Sequence, residues 1–145
     1  WRFDLSTGRV GEETLDERGQ DFPRVADRTV GLRHRFGYTL LFGDASEPGE
    51  PSLGRLLQID FERGSRREHD FGEGVRPGEP VFVPDPDGSA DDEGWVLTYV
   101  HDENRGESAL VVLDASRFEA PPVARVPLPR RVPYGFHGSW LPDEA

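Results

Sequence analysis

One histidine near the end of the chain has the surroundings that a metal ligand needs. His137 lies in the run 133–140, between Gly135 and Gly138 and beside two aromatic residues. Imidazole is a common transition-metal ligand, glycine lets a backbone turn sharply or approach another group closely, and aromatic rings can exclude water. A buried structural histidine would have the same surroundings. The run by itself therefore leaves a metal ligand and a structural histidine as open alternatives.

The other three histidines do not extend this run into a recognisable metal motif. His34, His69 and His101 stand at spacings that match no common ligand pattern. His34 also lies between two arginines, whose charges disfavour a nearby dication. We therefore do not expect the four histidines of this chain to gather around one metal ion.

Composition excludes several other chemistries. The chain has no cysteine, which rules out disulfides, zinc–thiolate sites and a cysteine nucleophile. The acidic loop at 85–93 lacks EF-hand spacing, and neither a Gly-x-Ser-x-Gly turn nor a glycine-rich phosphate loop occurs. A net charge of -11 argues against nucleic acid as a partner, because phosphates would be repelled. No apolar run approaches the ~18 residues of a membrane span, so the expected location is cytoplasmic.

The elements that must position these residues are predicted to be short strands. Glycine (17) and proline (13) are abundant, only 34% of the residues are hydrophobic, and no stretch has a convincing helical period. Alternating or continuous apolar runs instead predict strands at 1–5, 38–42, 54–60, 79–84, 94–100, 109–114 and 123–128. We expect 94–100 and 109–114 to pair. The pattern is typical of an all-β propeller, sandwich or barrel.

The chain also reads as part of something longer. It contains no methionine and opens on Trp1, in what reads as the middle of a strand. We therefore expect an internal or C-terminal piece of a larger protein.

Five segments, taken in order, resemble a known family. The segments are 21–25, 33–38, 78–84, 94–98 and 132–140. Their order resembles that near the C-terminus of the carotenoid cleavage oxygenases, which include lignostilbene dioxygenases and the retinal pigment epithelium isomerase. No single segment is decisive, but together they extend the resemblance over essentially the whole chain.

The resemblance implies a fold and an activity. Residues 1–145 would be a partial β-propeller, the C-terminal blades of a seven-bladed propeller with Fe(II) on its axis. Four histidines would bind the iron, and three glutamates would hydrogen-bond to those histidines. The implied enzyme uses O2 to cleave a conjugated double bond of a lipophilic polyene or stilbene, with peripheral membrane contact as a further expectation. An isomerase with the same metal site and a non-catalytic β-propeller binding module stay open as alternatives.

The resemblance also assigns individual residues. His137 matches the last of the four iron ligands, and the other three are expected outside this chain. Glu79 matches one of the glutamates that orient a ligand, although a solvated carboxylate at a strand end is its plain alternative. Asp21 stands where the family usually has another glutamate, and its side chain is one methylene shorter. Phe136 and Trp140 would either line a substrate tunnel or pack in a core.

Overall fold

Short strands joined by tight turns make up the structure. The computed structural model describes residues 1–42 and 54–143, so the predicted loop at 44–51 lies outside the described residues. No helix in the described part is long and apolar enough to cross a membrane. The two helical segments there are the 3-10 turns Asp27–Thr29 and Ala115–Arg117. The strands are β1 (Arg2–Asp4), β2 (Arg9–Gly11), β3 (Gln20–Arg24), β4 (Phe36–Leu41), β5 (Arg55–Asp60), β6 (Ser65–Asp70), β7 (Val75–Pro77), β8 (Val81–Pro84), β9 (Gly94–Asp102), β10 (Glu107–Asp114) and β11 (Ala124–Pro127).

These strands form two antiparallel sheets and one hairpin. Strands β3, β4, β5 and β6 pair in that order in one sheet. The second sheet runs β11-β10-β9, and both β7 and β8 pair with the free edge of β9. The predicted pairing of 94–100 with 109–114 is confirmed, since Trp95 lies opposite Asp114 and Val100 opposite Ala109. The sheets are blades of a β-propeller, and the predicted all-β fold class is confirmed.

The core lies between the two blades. The ring of Tyr38 on β4 stacks on Phe82 of β8, with centroids 5.4 Å apart and planes inclined by 9°. Val96 on β9 is fully buried. The alternation along 94–100 predicts that both faces of this strand are covered, but Tyr99 on the opposite face is 52% exposed. Burial of apolar surface on one face of each sheet therefore holds the blades together.

An irregularity interrupts the first strand of each blade. Strands β7 and β8 lie end to end along β9, and residues 78–80 occupy the space opposite only residues 98 and 99. In β3, Phe22 and Pro23 together lie opposite one residue of β4, and Phe22 has a φ of 53°. Each irregularity is a bulge with one extra residue next to a proline, which cannot donate a ladder hydrogen bond. The two bulges bring together the side chains described next.

Candidate metal-ligand site

The structure brings Glu79 and His137 together. Glu79 Oε1 lies 3.2 Å from Nδ1 of His137, and the backbone N–H of Gly138 donates to Glu79 Oε2 at 2.6 Å. One carboxylate therefore holds both the imidazole and the backbone next to it. A contact between Glu79 and a histidine, which the family resemblance implies, is present.

The bulge explains why Glu79 can make this contact. It lies between Gly78, whose N–H donates to Tyr99 O at 2.8 Å, and Pro80, which is fully buried. The hydroxyl of Thr98 donates to Gly78 O at 3.0 Å and closes the bulge from the opposite strand. The extra residue turns the Glu79 side chain out of the strand, while its neighbours fix the backbone.

The carboxylate of Glu79 is buried, whereas the imidazole of His137 is open. Their side chains are 6% and 76% exposed, respectively. A guanidinium nitrogen of Arg24, on β3 of the other blade, lies 3.5 Å from Glu79 Oε1. The second terminal nitrogen of Arg24 lies 3.5 Å from Asp27 Oδ1. Arg24 thus links the buried carboxylate to the neighbouring blade.

The β3 bulge also packs against the histidine. The ring of Phe22 meets the imidazole of His137 edge to face, at a centroid distance of 6.0 Å and an angle of 83°. Phe22 also lies 6.4 Å from Phe136, in a tilted arrangement. The left-handed backbone of Phe22 is uncommon for a residue with a side chain, and such conformations concentrate at functional sites. The bulge therefore limits the orientations open to His137.

The segment that carries His137 is tied to the β9–β10 hairpin. The N–H of Val132 donates to the hydroxyl of Ser108 at 3.3 Å, and the hydroxyl of Tyr134 donates to Glu103 Oε1 at 3.3 Å. Arg76 donates to the same oxygen at 2.7 Å, and this bond lowers the pKa of Glu103 below its ordinary value. These bonds hold the segment that leads to the site.

The two glycines beside His137 do not have the role that the sequence suggests. Neither Gly135 nor Gly138 has a positive φ. A Cβ at Gly135 would meet no atom of the chain within 4 Å, and one at Gly138 would come no closer than 3.9 Å to Val81. Within the described residues, no close packing requires a glycine at either position.

The structure does not bring Asp21 to His137. The Asp21 side chain is exposed, and its Oδ1 accepts the N–H of Phe22 at 2.7 Å. No hydrogen bond or ion pair joins Asp21 to a histidine among the residues described. Its role in orienting a ligand stays a prediction.

Among the described residues, none of the other three histidines contacts His137. The Nδ1 atoms of His34 and His69 contact the carbonyl oxygens of Leu32 and Phe118 at 3.1 and 3.0 Å. His101 Nδ1 lies 3.1 Å from the Ser108 hydroxyl. Within 1–42 and 54–143, no three His, Asp or Glu side chains are grouped so that they could hold a metal ion. The described chain therefore offers single candidate ligands and not a complete metal centre.

The donor set at His137 nevertheless fits one metal–imidazole bond. When Nδ1 carries the proton, it donates to Glu79 and leaves the Nε2 lone pair unused. Metal-binding histidines commonly have a carboxylate partner on their other nitrogen, because this fixes the ring and raises its basicity. The geometry therefore suits His137 as a ligand through Nε2.

Two contributors to this site are not assigned by the sequence analysis. Arg24 and Phe22 lie more than 50 residues before Glu79 and His137, and only the packing of the two blades brings them close. One local signal exists, because an aromatic residue and an arginine flank a proline in the segment 21–25. Proline in a strand marks an edge or a bulge, and bulges often re-aim functional side chains.

Sequence comparison relates the chain to one family over nearly its whole length. The family model for the retinal pigment epithelial membrane protein matches residues 1–142. The carotenoid cleavage oxygenase of Mycobacterium tuberculosis is 38% identical over 98% of this chain and 28% of its own length. The chloroplastic 9-cis-epoxycarotenoid dioxygenase of Oryza sativa subsp. japonica is 41% identical, over 97% of this chain and 22% of its own length. The chain thus spans about a quarter of the length of these curated relatives.

Comparison with solved structures agrees with the sequence comparison. A crystal structure of the cobalt-substituted apocarotenoid oxygenase of Synechocystis superposes with a TM-score of 0.86 and 33% identity. The match covers 96% of this chain and 29% of that one. The similarity therefore extends to both blades and to the segment that carries His137.

Proposed function

The chain belongs to the carotenoid cleavage oxygenase family, and we propose that it is the C-terminal part of a non-haem, Fe(II)-dependent dioxygenase. The proposed enzyme cleaves a conjugated C=C bond of a carotenoid, apocarotenoid or stilbene. The observation that carries the proposal is the pair of Glu79 and His137, with Nδ1 and Oε1 3.2 Å apart. The relatives that support it are named oxygenases and dioxygenases of carotenoids and apocarotenoids.

The proposed reaction is balanced without an external reductant. The double bond of the substrate is broken, and each of its two carbons receives one atom of O2, which gives two carbonyl products. When bound, Fe(II) supplies the one-electron chemistry that lets O2 react with a closed-shell organic molecule. Neutral imidazole ligands suit ferrous iron.

The residues of this chain would orient one of the ligands. With Nδ1 protonated, His137 donates a hydrogen bond to Glu79 Oε1, which would direct Nε2 towards the metal and raise its basicity. The Gly138 N–H donates a hydrogen bond to the other carboxylate oxygen, so the carboxylate cannot rotate freely. Phe22 restricts the imidazole from the side. We expect the other three histidine ligands to come from parts of the protein outside this chain.

Apolar rings beside the histidine suit a lipophilic substrate. Phe136 and Trp140 are 76% and 47% exposed, so both rings are available to contact a polyene or to be covered by further blades. A cytoplasmic enzyme with peripheral access to a membrane would meet such a substrate, and that location stays a prediction.

Iron content and substrate cleavage in the intact protein test the proposal. We expect His137→Ala to abolish both iron binding and the O2-dependent cleavage of an apocarotenoid or stilbene. His34→Ala is the matched control, because its imidazole contacts Leu32 and lies apart from the site. Full iron and full activity in His137→Ala would refute the assignment. Intact protein that binds iron but cleaves neither substrate would favour the isomerase, and protein that binds no iron would favour the binding module.

This chain by itself is expected to be inactive. One imidazole supplies a quarter of the implied ligand set, and the described residues contain no complete metal centre. We therefore expect the isolated chain to bind Fe(II) weakly and to cleave no substrate. Stoichiometric, high-affinity iron in the isolated chain would contradict the proposal.

A further inference from the structure

We propose that Arg24 is a positioning residue that anchors Glu79 to the neighbouring blade and thereby fixes the imidazole of His137 for metal binding. The inference rests on the proposed function, because it assigns Arg24 a part in the same metal site. Arg24 itself would touch neither the metal nor the substrate.

The partners of Glu79 come from two parts of the fold. Within the described residues, the carboxylate has three polar partners, namely His137 Nδ1, the Gly138 N–H and a guanidinium nitrogen of Arg24. The first two belong to the same segment, which is the one that must be positioned. A carboxylate held only by that segment could move together with it. Arg24 is the one partner of the three that lies on a blade strand, so it gives the carboxylate a fixed reference.

Arg24 is itself well placed to serve as that reference. Its backbone lies in β3, paired opposite Tyr38, a buried core residue. Its side chain is 21% exposed, and its second terminal nitrogen lies 3.5 Å from Asp27 Oδ1. The planar guanidinium can contact two carboxylates at once, which a single ammonium group does less well. The Asp27 contact therefore limits the motion of the same fork that contacts Glu79.

Charge gives a second reason for the arrangement. The Glu79 side chain is only 6% exposed, and a buried carboxylate is costly unless charge and hydrogen bonds compensate it. Without the guanidinium, rotation of the carboxylate towards solvent becomes more favourable. That rotation would break the contact with His137. Because that rotation returns the carboxylate to water, loss of Arg24 should disturb the imidazole more than the fold.

The test compares metal affinity with stability in the intact protein. Arg24→Gln removes the charge, Arg24→Lys keeps it without the fork, and Arg28→Gln removes an exposed arginine from the adjacent turn as the control. Fe(II) affinity is measured anaerobically by chelator competition, and Co(II) absorption reports the ligand geometry. We expect Arg24→Gln to weaken Fe(II) binding on the order of 10-fold, as loss of a ligand's supporting partner does. The melting temperature of the metal-free protein should stay unchanged, with Arg24→Lys intermediate in affinity and Arg28→Gln normal.

A double-mutant cycle tests whether Arg24 acts through Glu79. We expect Arg24→Gln combined with Glu79→Gln to bind Fe(II) no more weakly than Glu79→Gln alone. Unchanged affinity in Arg24→Gln, or fully additive losses, would overturn the inference. If Arg24→Gln also lowers the melting temperature, Asp27→Ala decides the matter, because it keeps the Arg24 charge and removes only its second contact. Asp27→Ala must then weaken Fe(II) binding, and normal affinity would overturn the inference.

His137→Ala separates this inference from the proposed function. Iron retained in His137→Ala would defeat both, because the site would not be a metal site. Iron lost in His137→Ala but unaffected by Arg24→Gln would defeat the role of Arg24 alone.

Discussion

Replacing Glu79 by glutamine tests how one carboxylate controls the ligand. Both oxygens are in use, since Oε1 lies 3.2 Å from His137 Nδ1 and Oε2 accepts the Gly138 N–H at 2.6 Å. Glutamine keeps the length but offers a single acceptor oxygen. Its NH2 group would face an N–H donor at the other contact. The substitution therefore removes at least one of the three hydrogen bonds of the carboxylate and sets two donors against each other.

The expected size follows from the bond that is lost. A hydrogen bond to a charged group contributes about 1.5–3 kcal/mol, which corresponds to roughly 10–100-fold in an equilibrium constant. Loss of a supporting partner of a metal ligand weakens metal binding by a similar 10–100-fold. We therefore expect Glu79→Gln to weaken Fe(II) binding within that range. Glu79→Asp should also weaken it, because a chain shorter by one C–C bond of ~1.5 Å cannot keep both contacts.

The assay combines Fe(II) affinity with kcat/KM for O2-dependent cleavage in the intact protein. His137→Ala sets the lower limit, because it removes the ligand itself. Glu119→Gln is the matched control, since the Glu119 side chain is exposed and has no hydrogen bond or ion pair to the described part of the chain. Normal iron affinity in Glu79→Gln would refute the reasoning. So would an equal loss in Glu119→Gln.

Three further predictions concern the blades. The bidentate bond from Arg35 lowers the pKa of Asp60 from 3.8 to about 2. Asp60→Asn should therefore cost about 2 kcal/mol near pH 7, and urea unfolding should show the difference fading as the pH falls from about 4 towards 2. Gly94→Ala should lower the unfolding free energy by roughly 3 kcal/mol or more, because φ is 148° and a Cβ would overlap a backbone carbonyl of β8. Its control is Gly106→Ala, where φ is 68° but the Cβ would meet no atom, and which should lower the unfolding free energy by about 1 kcal/mol. Tyr134→Phe removes one exposed hydrogen bond and should lower the unfolding free energy by less than about 1 kcal/mol, measured in the same way.

The blade strands could be predicted because their signals are local. Gly94–Asp102 and Glu107–Asp114 are apolar runs separated by a polar turn, and such runs pair with their sequence neighbour. Their exposure could not be predicted equally well. Tyr99 is 52% exposed, although its sequence context resembles that of the buried Val100.

The candidate site was predictable only in part, for a physical reason. Residue type and family resemblance single out His137 and Glu79, but chemistry alone leaves each of them a plain structural alternative. Arg24 has no distinguishing chemistry in the sequence, where it is one of 17 basic residues. Its importance arises from a distance of 3.5 Å across two blades, which no periodicity or spacing encodes.

The prolines beside the site connect these two observations. A proline inside an apolar run is ordinarily taken to end a strand, and Pro80 does separate β7 from β8. Both strands nevertheless continue along the same edge of β9, so the proline marks one extra residue and not the end of pairing. Pro23 marks the equivalent irregularity in β3. Because each bulge frees side chains from the regular alternation, Glu79 and Phe22 can both reach His137, while the pairing on either side keeps their backbones fixed. In such a blade, the residues next to a strand proline are the first in which to look for groups that position a ligand.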